Sequence, residues 1–507
     1  MSSKILSSAI IGLSGALVEV EVDVLSNSLH NMTIVGLPDT AIKESRDRVS
    51  SAIKNSGFKP PYQCGRITVN LAPADLPKTS SIYDMPIAIG VLVATGQLNF
   101  DSKNKIFIGE LALDGRVRAV NGILPICLFA KEIGIEQIYI PYENLKEASV
   151  VEGIDIYGVK NLSELGKHLV GINEIVPTKH TDIYKNIKKN NSFDMKYIKG
   201  HEHAKRALEI AASGGHNVLF NGPPGSGKTL LARTFSSILP KLSKKEILDV
   251  TRIYSVAGLL DKDNSLILNR PFRTPHHSAS AVSLIGGGTV PKPGEISLAH
   301  RGVLFLDEFG EFPRVVLENL RQPLEDKIVT ISRARGTVVF PAHFMLVAAM
   351  NPCPCGYATD SEKDCTCTPV QIVNYRKKIS GPILDRIDMH IEVPRVKLDK
   401  LEDNSESESS HVIRKRVEIA REIQAQRFKN EDIFTNSEMR VEHIKKYIKL
   451  NDESRELLAS AVSKFNFSAR TYHRILKLSR TIADLDGSEN ILSTHIAEAI
   501  QFRFRNE

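Results

Sequence analysis

Hydrophobic and polar positions change their period along this chain, and each change predicts a different kind of element. Val18, Val20, Val22 and Val24 alternate with Glu19, Glu21 and Asp23, a strict period of two that predicts a half-buried strand over 16–24. Apolar runs near 106–113 and 137–141 predict further strands, and helical spacing predicts helices over 86–98 and 123–134. Residues 1–172 therefore read as a mixed α/β domain. The polar, unpatterned stretch 173–192 predicts a linker. From 193 to 398, short apolar runs alternate with helical segments, the pattern of a parallel sheet covered by helices. A Ser-rich acidic break, Leu401 to Ser410, lies within a second linker, 399–411. Beyond it, apolar residues at helical spacing in 412–423, 454–462 and 472–485 predict an all-helical end, 412–507. There is no internal repeat.

Composition changes this picture little. The 507 residues are 42% hydrophobic and 25% charged, as in ordinary globular proteins. A net charge of +7 permits a nucleic-acid partner without requiring one. No apolar run approaches the roughly 20 residues of a membrane span. The apolar stretch Ile5 to Val18 resembles a signal peptide faintly, but it runs into the alternating strand, so a cytoplasmic location is expected. Six cysteines, four of them in one short segment, do not form a secreted disulfide framework.

The strongest chemistry lies in Gly222, Pro223, Pro224, Gly225, Ser226, Gly227, Lys228 and Thr229, which match G-x-x-x-x-G-K-[ST] at every fixed position. The run Val218 to Phe220 leads in as a strand, and a helix is predicted over Leu230 to Leu239. In that setting backbone N–H groups curl around phosphate oxygens at the positive end of a helix. Lys228 would reach the β/γ-phosphates, and the Thr229 hydroxyl would hold Mg²⁺. Val303 to Leu306 is a second buried-strand run, ending in Asp307 and Glu308. Asp307 would position Mg²⁺ and Glu308 the attacking water, so the pair implies ATP hydrolysis.

Three further segments follow in order: Phe344 to Asn351, Leu384-Asp385-Arg386 and Ser468-Ala469-Arg470. With the two nucleotide motifs, this order resembles an AAA+ ATPase core with a helical lid. Pro271 to Ser278, Pro291 to His300 and Arg321 to Glu325 resemble the magnesium-chelatase-like YifB/ComM branch. The resemblance implies that Asn351 is sensor 1 and orients the water. It implies that Arg386 is an arginine finger reaching a neighbouring subunit, and that Arg470 is sensor 2, closing the lid over the nucleotide. A finger supplied in trans makes turnover depend on a ring, usually a hexamer. Asp194 to His201 occupies the adenine-side segment, with His201 where the family usually has Gln.

Phe107 to Arg118 is similar to a segment of Lon-type proteases, which implies a Lon-protease-like α+β domain at the N-terminus. Aligned through Pro77-Lys78, Ile82 stands at the nucleophilic serine; aligned through Gly122, Leu124 stands at the lysine. Neither side chain can attack a carbonyl or take a proton. Ser80 and Ser81 lie close by, without a matching base. The domain reads as catalytically dead, used for assembly or partner binding.

Cys353, Cys355, Cys365 and Cys367 follow Asn351 and offer the ligands of a structural Zn²⁺ site, with reduced thiols or a redox pair as rivals. Thr330 to Val339 reads as a hairpin with Arg333 and Arg335 near its tip, positions suited to nucleic-acid phosphates or to a solvated turn. His276 and His277 precede an apparent insertion, Ser278 to Gly288, read as a pore loop rather than a metal site. Arg414, Lys415 and Arg416, and Lys445 with Lys446, read as solvated helix faces. The family resemblance implies a DNA motor, a helicase of branch migration in recombination or natural transformation, that uses ATP and Mg²⁺ and has no membrane partner. A protein remodeller and a metal-insertion motor are the alternatives. A remodeller would carry aromatic pore loops, and 272–300 contains no convincing one.

Overall fold

The computed structural model describes residues 2–25, 31–36, 40–76 (backbone alone at 40–43), 78, 81–183, 193–261, 265–288, 290–333, 336–360, 362–396, 399 and 407–503. The first part contains β1 (Ser2–Ile11), β2 (Ser14–Leu25), β3 (Asn31–Val35), β4 (Arg66–Ala72), β5 (Lys105–Phe107), β6 (Glu110–Leu111), β7 (Val117–Arg118), β8 (Gln137–Pro141) and β9 (Asp155–Val159). Seven of them form one mixed sheet in the order β3-β4-β2-β1-β5-β8-β9. The alternation in β2 works as its pattern predicts: Val18, Val20, Val22 and Val24 are buried, while Glu21 and Asp23 face solvent. The helices Asp84–Ala94 and Ile123–Glu132 cover β1 and β2.

Two differences from the expected elements have local causes. The first helix stops at Ala94, short of 98, because Thr95 Oγ1 donates back to Val91 O at 2.8 Å and Gly96 turns left-handed at φ +72°. The run 106–113 splits, with β5 in the large sheet and β6 turning off to pair with β7. In the segment expected as the first linker, 184–192 lie outside the described residues. Its earlier part is pinned, with Thr178 N donating to Ile156 O at 2.8 Å and Thr181 N to Ser149 O at 3.0 Å.

The second part contains β10 (Val218–Asn221), β11 (Phe272–Arg273), β12 (Gly286–Gly287), β13 (Lys292–Pro293), β14 (Val303–Leu306), β15 (Ile328–Arg333), β16 (Gly336–Pro341), β17 (Met345–Met350) and β18 (Met389–Glu392). Five strands form an all-parallel sheet, β11-β14-β17-β10-β18. Every residue of β14 and β17 is buried. Strands so uniformly apolar need helices on both faces, and such a sheet carries its chemistry at the carboxyl ends of the strands.

Beyond residue 407 the described chain is helical, chiefly Ser410–Arg427, Asp452–Phe465, Ala469–Leu485 and Ser493–Gln501. The reading of Arg414 and Arg416 as a solvated face fails. Arg414 Nε donates to Ser237 O at 2.9 Å, and Arg416 Nε pairs with Glu209 at 2.5 Å, so both fasten this helix to the parallel-sheet layer. Lys446 keeps an exposed pair with Glu431 at 2.6 Å. The N-terminal part docks on the helix Lys244–Ala257, where Arg252 Nη2 donates to Leu13 O at 2.8 Å. No helix among the described residues is long and apolar enough to cross a membrane.

Candidate nucleotide site

The phosphate loop leaves β10 at its carboxyl end and enters the helix Lys228–Ile238. Gly225 and Gly227 take φ of +77° and +87°, a conformation that favours glycine. Gly222 is required for space, since a Cβ there would stand 2.2 Å from Val393 O. Lys228 Nζ donates to Gly222 O at 2.7 Å and Pro223 O at 2.8 Å, and lies 3.3 Å from Asn351 Oδ1. Burial pulls its ammonium down to about 8, against the raising effect of Asp307. Ser226 Oγ is buried within the loop with no protein hydrogen-bond partner.

Thr229 Oγ1 donates to Asp307 Oδ2 at 2.8 Å, which brings the two candidate Mg²⁺ ligands together from different elements. Glu308 follows at φ +53°, unusual for a residue with a side chain, and its carboxylate projects into solvent beside the loop. Asn351, at the end of β17, completes the cluster. Thus Lys228, Thr229, Asp307, Glu308 and Asn351 converge on one edge of the parallel sheet. The His201 Nε2 lies 3.7 Å from where a Cβ on Gly227 would stand, beside the loop.

The two arginines lie elsewhere. Arg386 Nη2 pairs with Glu325 Oε1 at 2.6 Å, and Arg470 Nη2 reaches the same oxygen at 3.2 Å. Arg386 O accepts from Asn217 Nδ2 at 3.1 Å, and Asn217 precedes β10 whereas Gly222 follows it. At about 3.3 Å per residue, the sheet separates them by roughly 15 Å. Arg470, expected to close the lid over the nucleotide, rests beside Arg386 on Glu325. It shares the far edge with Arg386, because the helix Ala469–Leu485 packs where β18 begins and Arg474 pairs with Asp388 at 3.4 Å.

Sequence reasoning placed His277 beside a pore loop and missed its contact with the site, where its Nδ1 lies 2.9 Å from Glu308 Oε2. It missed Glu325, which holds both arginines, and Tyr375, whose hydroxyl reaches the backbone of Asn351 and is pushed up to about 12 by burial. His277 and Glu325 fall inside segments that carry the family resemblance, but neither segment by itself indicates a partner.

β15 and β16 form the expected antiparallel hairpin, with Ile328 opposite Pro341 and Arg333 opposite Gly336. Arg333 is exposed, and Arg335 lies outside the described residues. The insertion Ser278 to Gly288 ends in β12, which pairs with β13 beyond it as a smaller hairpin, and a Cβ on Gly287 would stand 3.2 Å from Arg333 Nη2. The two hairpins are thus neighbours. The sulfurs of Cys353, Cys355, Cys365 and Cys367 all lie within 4.8 Å of one another, a set able to hold a metal.

In the N-terminal part, Ile82 and Leu124 are buried in the core. Ser81 Oγ donates to Glu110, and Lys78 Nζ lies against the Pro73 carbonyl and 3.5 Å from that of Gly36. Pro77 and Ser80 lie outside the described residues.

Comparison with known proteins spans nearly the whole chain. The family described as magnesium chelatase, subunit ChlI, matches residues 194–401; that of subunit ChlI of Mg-chelatase matches 20–144; and its C-terminal family matches 407–503. The competence protein ComM of Haemophilus influenzae is 45% identical over 98% of this chain and 96% of its own length. The YifB protein of Escherichia coli is 40% identical over the same shares. Lon protease 2 of Bacillus subtilis is 27% identical over 30% of each chain.

Proposed function

The chain belongs to the YifB/ComM family of magnesium-chelatase-like AAA+ ATPases, and from that premise we propose that it is a ring-forming motor that hydrolyses Mg·ATP to move along DNA. The observation that carries the reading is the division of labour across one sheet. Lys228, Thr229, Asp307, Glu308 and Asn351 occupy one edge, and Arg386 with Arg470 the other. Lys228 and the loop amides bind the phosphates, Thr229 and Asp307 hold Mg²⁺, and Glu308 with Asn351 orients the water. Arg386 and Arg470, which rest together on Glu325, suit the loop of a neighbour, so the active unit is a ring, in the family a hexamer. Residues 412–507 act as the lid over that shared site, 1–172 as a Lon-like domain without protease activity, and zinc at the four cysteines joins ATP and Mg²⁺.

Arg333, exposed on one of two adjoining hairpins, supports a sequence-independent grip on phosphates, as a translocase requires. The relative named as a competence protein suggests branch migration during uptake of DNA, in the cytoplasm. ATPase rate with single-stranded and forked DNA at two salt concentrations tests the motor: stimulation that fades with salt is expected. A rate indifferent to DNA would turn the reading toward protein remodelling. Arg333→Ala with Arg335→Ala should weaken DNA binding and leave the ring intact. Mixing Lys228→Ala chains with Arg386→Ala chains tests the shared site, because mixed interfaces regain one complete set; no recovery would reject catalysis in trans.

A further inference from the structure

We infer that Cys353, Cys355, Cys365 and Cys367 form a tetrathiolate zinc site that holds the phosphate loop and Asn351 in register. This rests on the reading of those residues as the nucleotide site. The Sγ separations are 3.3 Å for Cys353–Cys355, 3.7 Å for Cys353–Cys365 and 3.5 Å for Cys355–Cys365. A tetrahedron with Zn–S of about 2.3 Å has edges of about 3.8 Å. A disulfide would need about 2.05 Å, and all four cysteines are free. An iron–sulfur cluster places several metal and sulfide atoms between its thiolates and needs a wider cage. Backbone amides already point at the sulfurs: Cys355 N donates to Cys367 Sγ and Ala358 N to Cys353 Sγ, both at 3.3 Å. Such bonds stabilise thiolates and orient ligands around a metal.

The site is built into the nucleotide pocket from three sides. Cys353 is two residues beyond Asn351, whose Oδ1 faces Lys228. Gly356, at φ +88° in the turn between the first ligands and the rest of the loop, has no room for a side chain, since a Cβ would meet Pro224 Cδ at 2.6 Å. The cysteine loop is thus packed on the phosphate loop itself. Its outer arm is anchored by the buried carboxylate of Asp360, 2.7 Å from Arg395, two residues after the Val393 carbonyl that crowds Gly222. Its exit is capped by Thr368, which starts the helix Pro369–Lys377 carrying Tyr375 back to the Asn351 backbone. Without a metal, four thiols pulled to van der Waals contact offer little to hold this loop closed. With zinc, the loop becomes a rigid wall for Pro224 and a fixed origin for Asn351. The zinc never touches the nucleotide, and these cysteines position the site rather than react.

The full-length protein, prepared in zinc-replete medium, should contain about one zinc per chain by elemental mass spectrometry. Exchange with cobalt(II) should produce the thiolate charge-transfer absorption and d–d bands of a tetrahedral S₄ site, which needs no mutation and no folded variant. Cys355→Ser and Cys365→Ser should lose the metal, keep the far-ultraviolet circular dichroism, and lose at least tenfold in ATP turnover. Ejecting zinc from the wild-type chain with an organomercurial should do the same, reversed by thiol and Zn²⁺ but not by thiol and Mg²⁺. Four thiols that titrate freely in a zinc-free native chain, or iron in place of zinc, would overturn the site. Full turnover in a metal-free variant would overturn the positioning role. Lys228→Ala separates the two readings, since it should lose ATP and keep its zinc.

Discussion

The two sheet-and-helix layers of this protein treat corresponding chemistry in opposite ways. In the parallel-sheet layer, the edge that carries the motifs buries Lys228, crowds it with carbonyls, and leaves Ser226 Oγ without a partner. In the N-terminal layer, the positions where a Lon-type protease would carry serine and lysine hold Ile82 and Leu124, both packed into the core. A buried polar group without a partner costs a few kcal/mol, which a ligand offsets where it supplies the missing bond. Both layers carry such an atom, Ser226 Oγ in the first and Ser7 Oγ in the second, but only Ser226 stands in a loop whose lysine faces Asn351 and whose threonine bonds Asp307.

The sharpest break of this contrast is at Glu308. Glu308→Gln should retain ATP and Mg²⁺ but lose about 10²–10³-fold in turnover, the scale of removing one preorganised polar group. Single-turnover hydrolysis near the wild-type rate would remove Glu308 from the reaction. The reverse experiment introduces polarity into the other layer. Leu124→Lys, at a residue with no exposed surface, should cost about 3 kcal/mol or more by denaturant unfolding and yield no peptidase. A stable, proteolytic variant would show that the N-terminal layer had kept a usable site.

A smaller effect is expected at His277, whose Nδ1 lies 2.9 Å from Glu308 Oε2. With Glu308 released from that contact, His277→Ala should raise DNA-free ATPase by about tenfold, about 1.4 kcal/mol, and flatten its stimulation by DNA. Unchanged stimulation would leave His277 without a part in coupling. The smallest effect is in pH. Burial sets the Lys228 ammonium at about 8, and bound phosphates favour its charged form, so ATP binding above pH 8 should take up a proton. Affinity should then fall by at most about tenfold per pH unit, and calorimetry at pH 9 in buffers of different ionisation heat reads the uptake directly. Equal observed heats in all the buffers would mean that Lys228 is fully charged before ATP arrives.

Much of the site was legible in the chain because its chemistry is local. The phosphate loop needs glycines at set positions, an apolar strand before and a helix after, all within about twenty residues. The four-cysteine loop and the alternation of β2 are equally local, and each folds as its spacing predicts. Errors in the fold were also local: Thr95 and Gly96 end a helix that apolar spacing alone would extend.

What the sequence could not decide is which separated residues meet. Nothing in the spacing of Arg386 and Arg470 shows that both rest on Glu325. Nor does it show that Arg414, amid basic neighbours, donates to the Ser237 carbonyl. The pairs His277–Glu308 and Gly356–Pro224 join segments that are far apart along the chain. The amino-acid sequence determined the kinds of chemistry available, because phosphate binding, thiolate ligation and strand alternation each follow from short-range pattern. Only the tertiary structure decided on which edge of the sheet each group acts, because parallel strands bring residues together by crossover and packing, and a period of two or 3.6 carries no record of that.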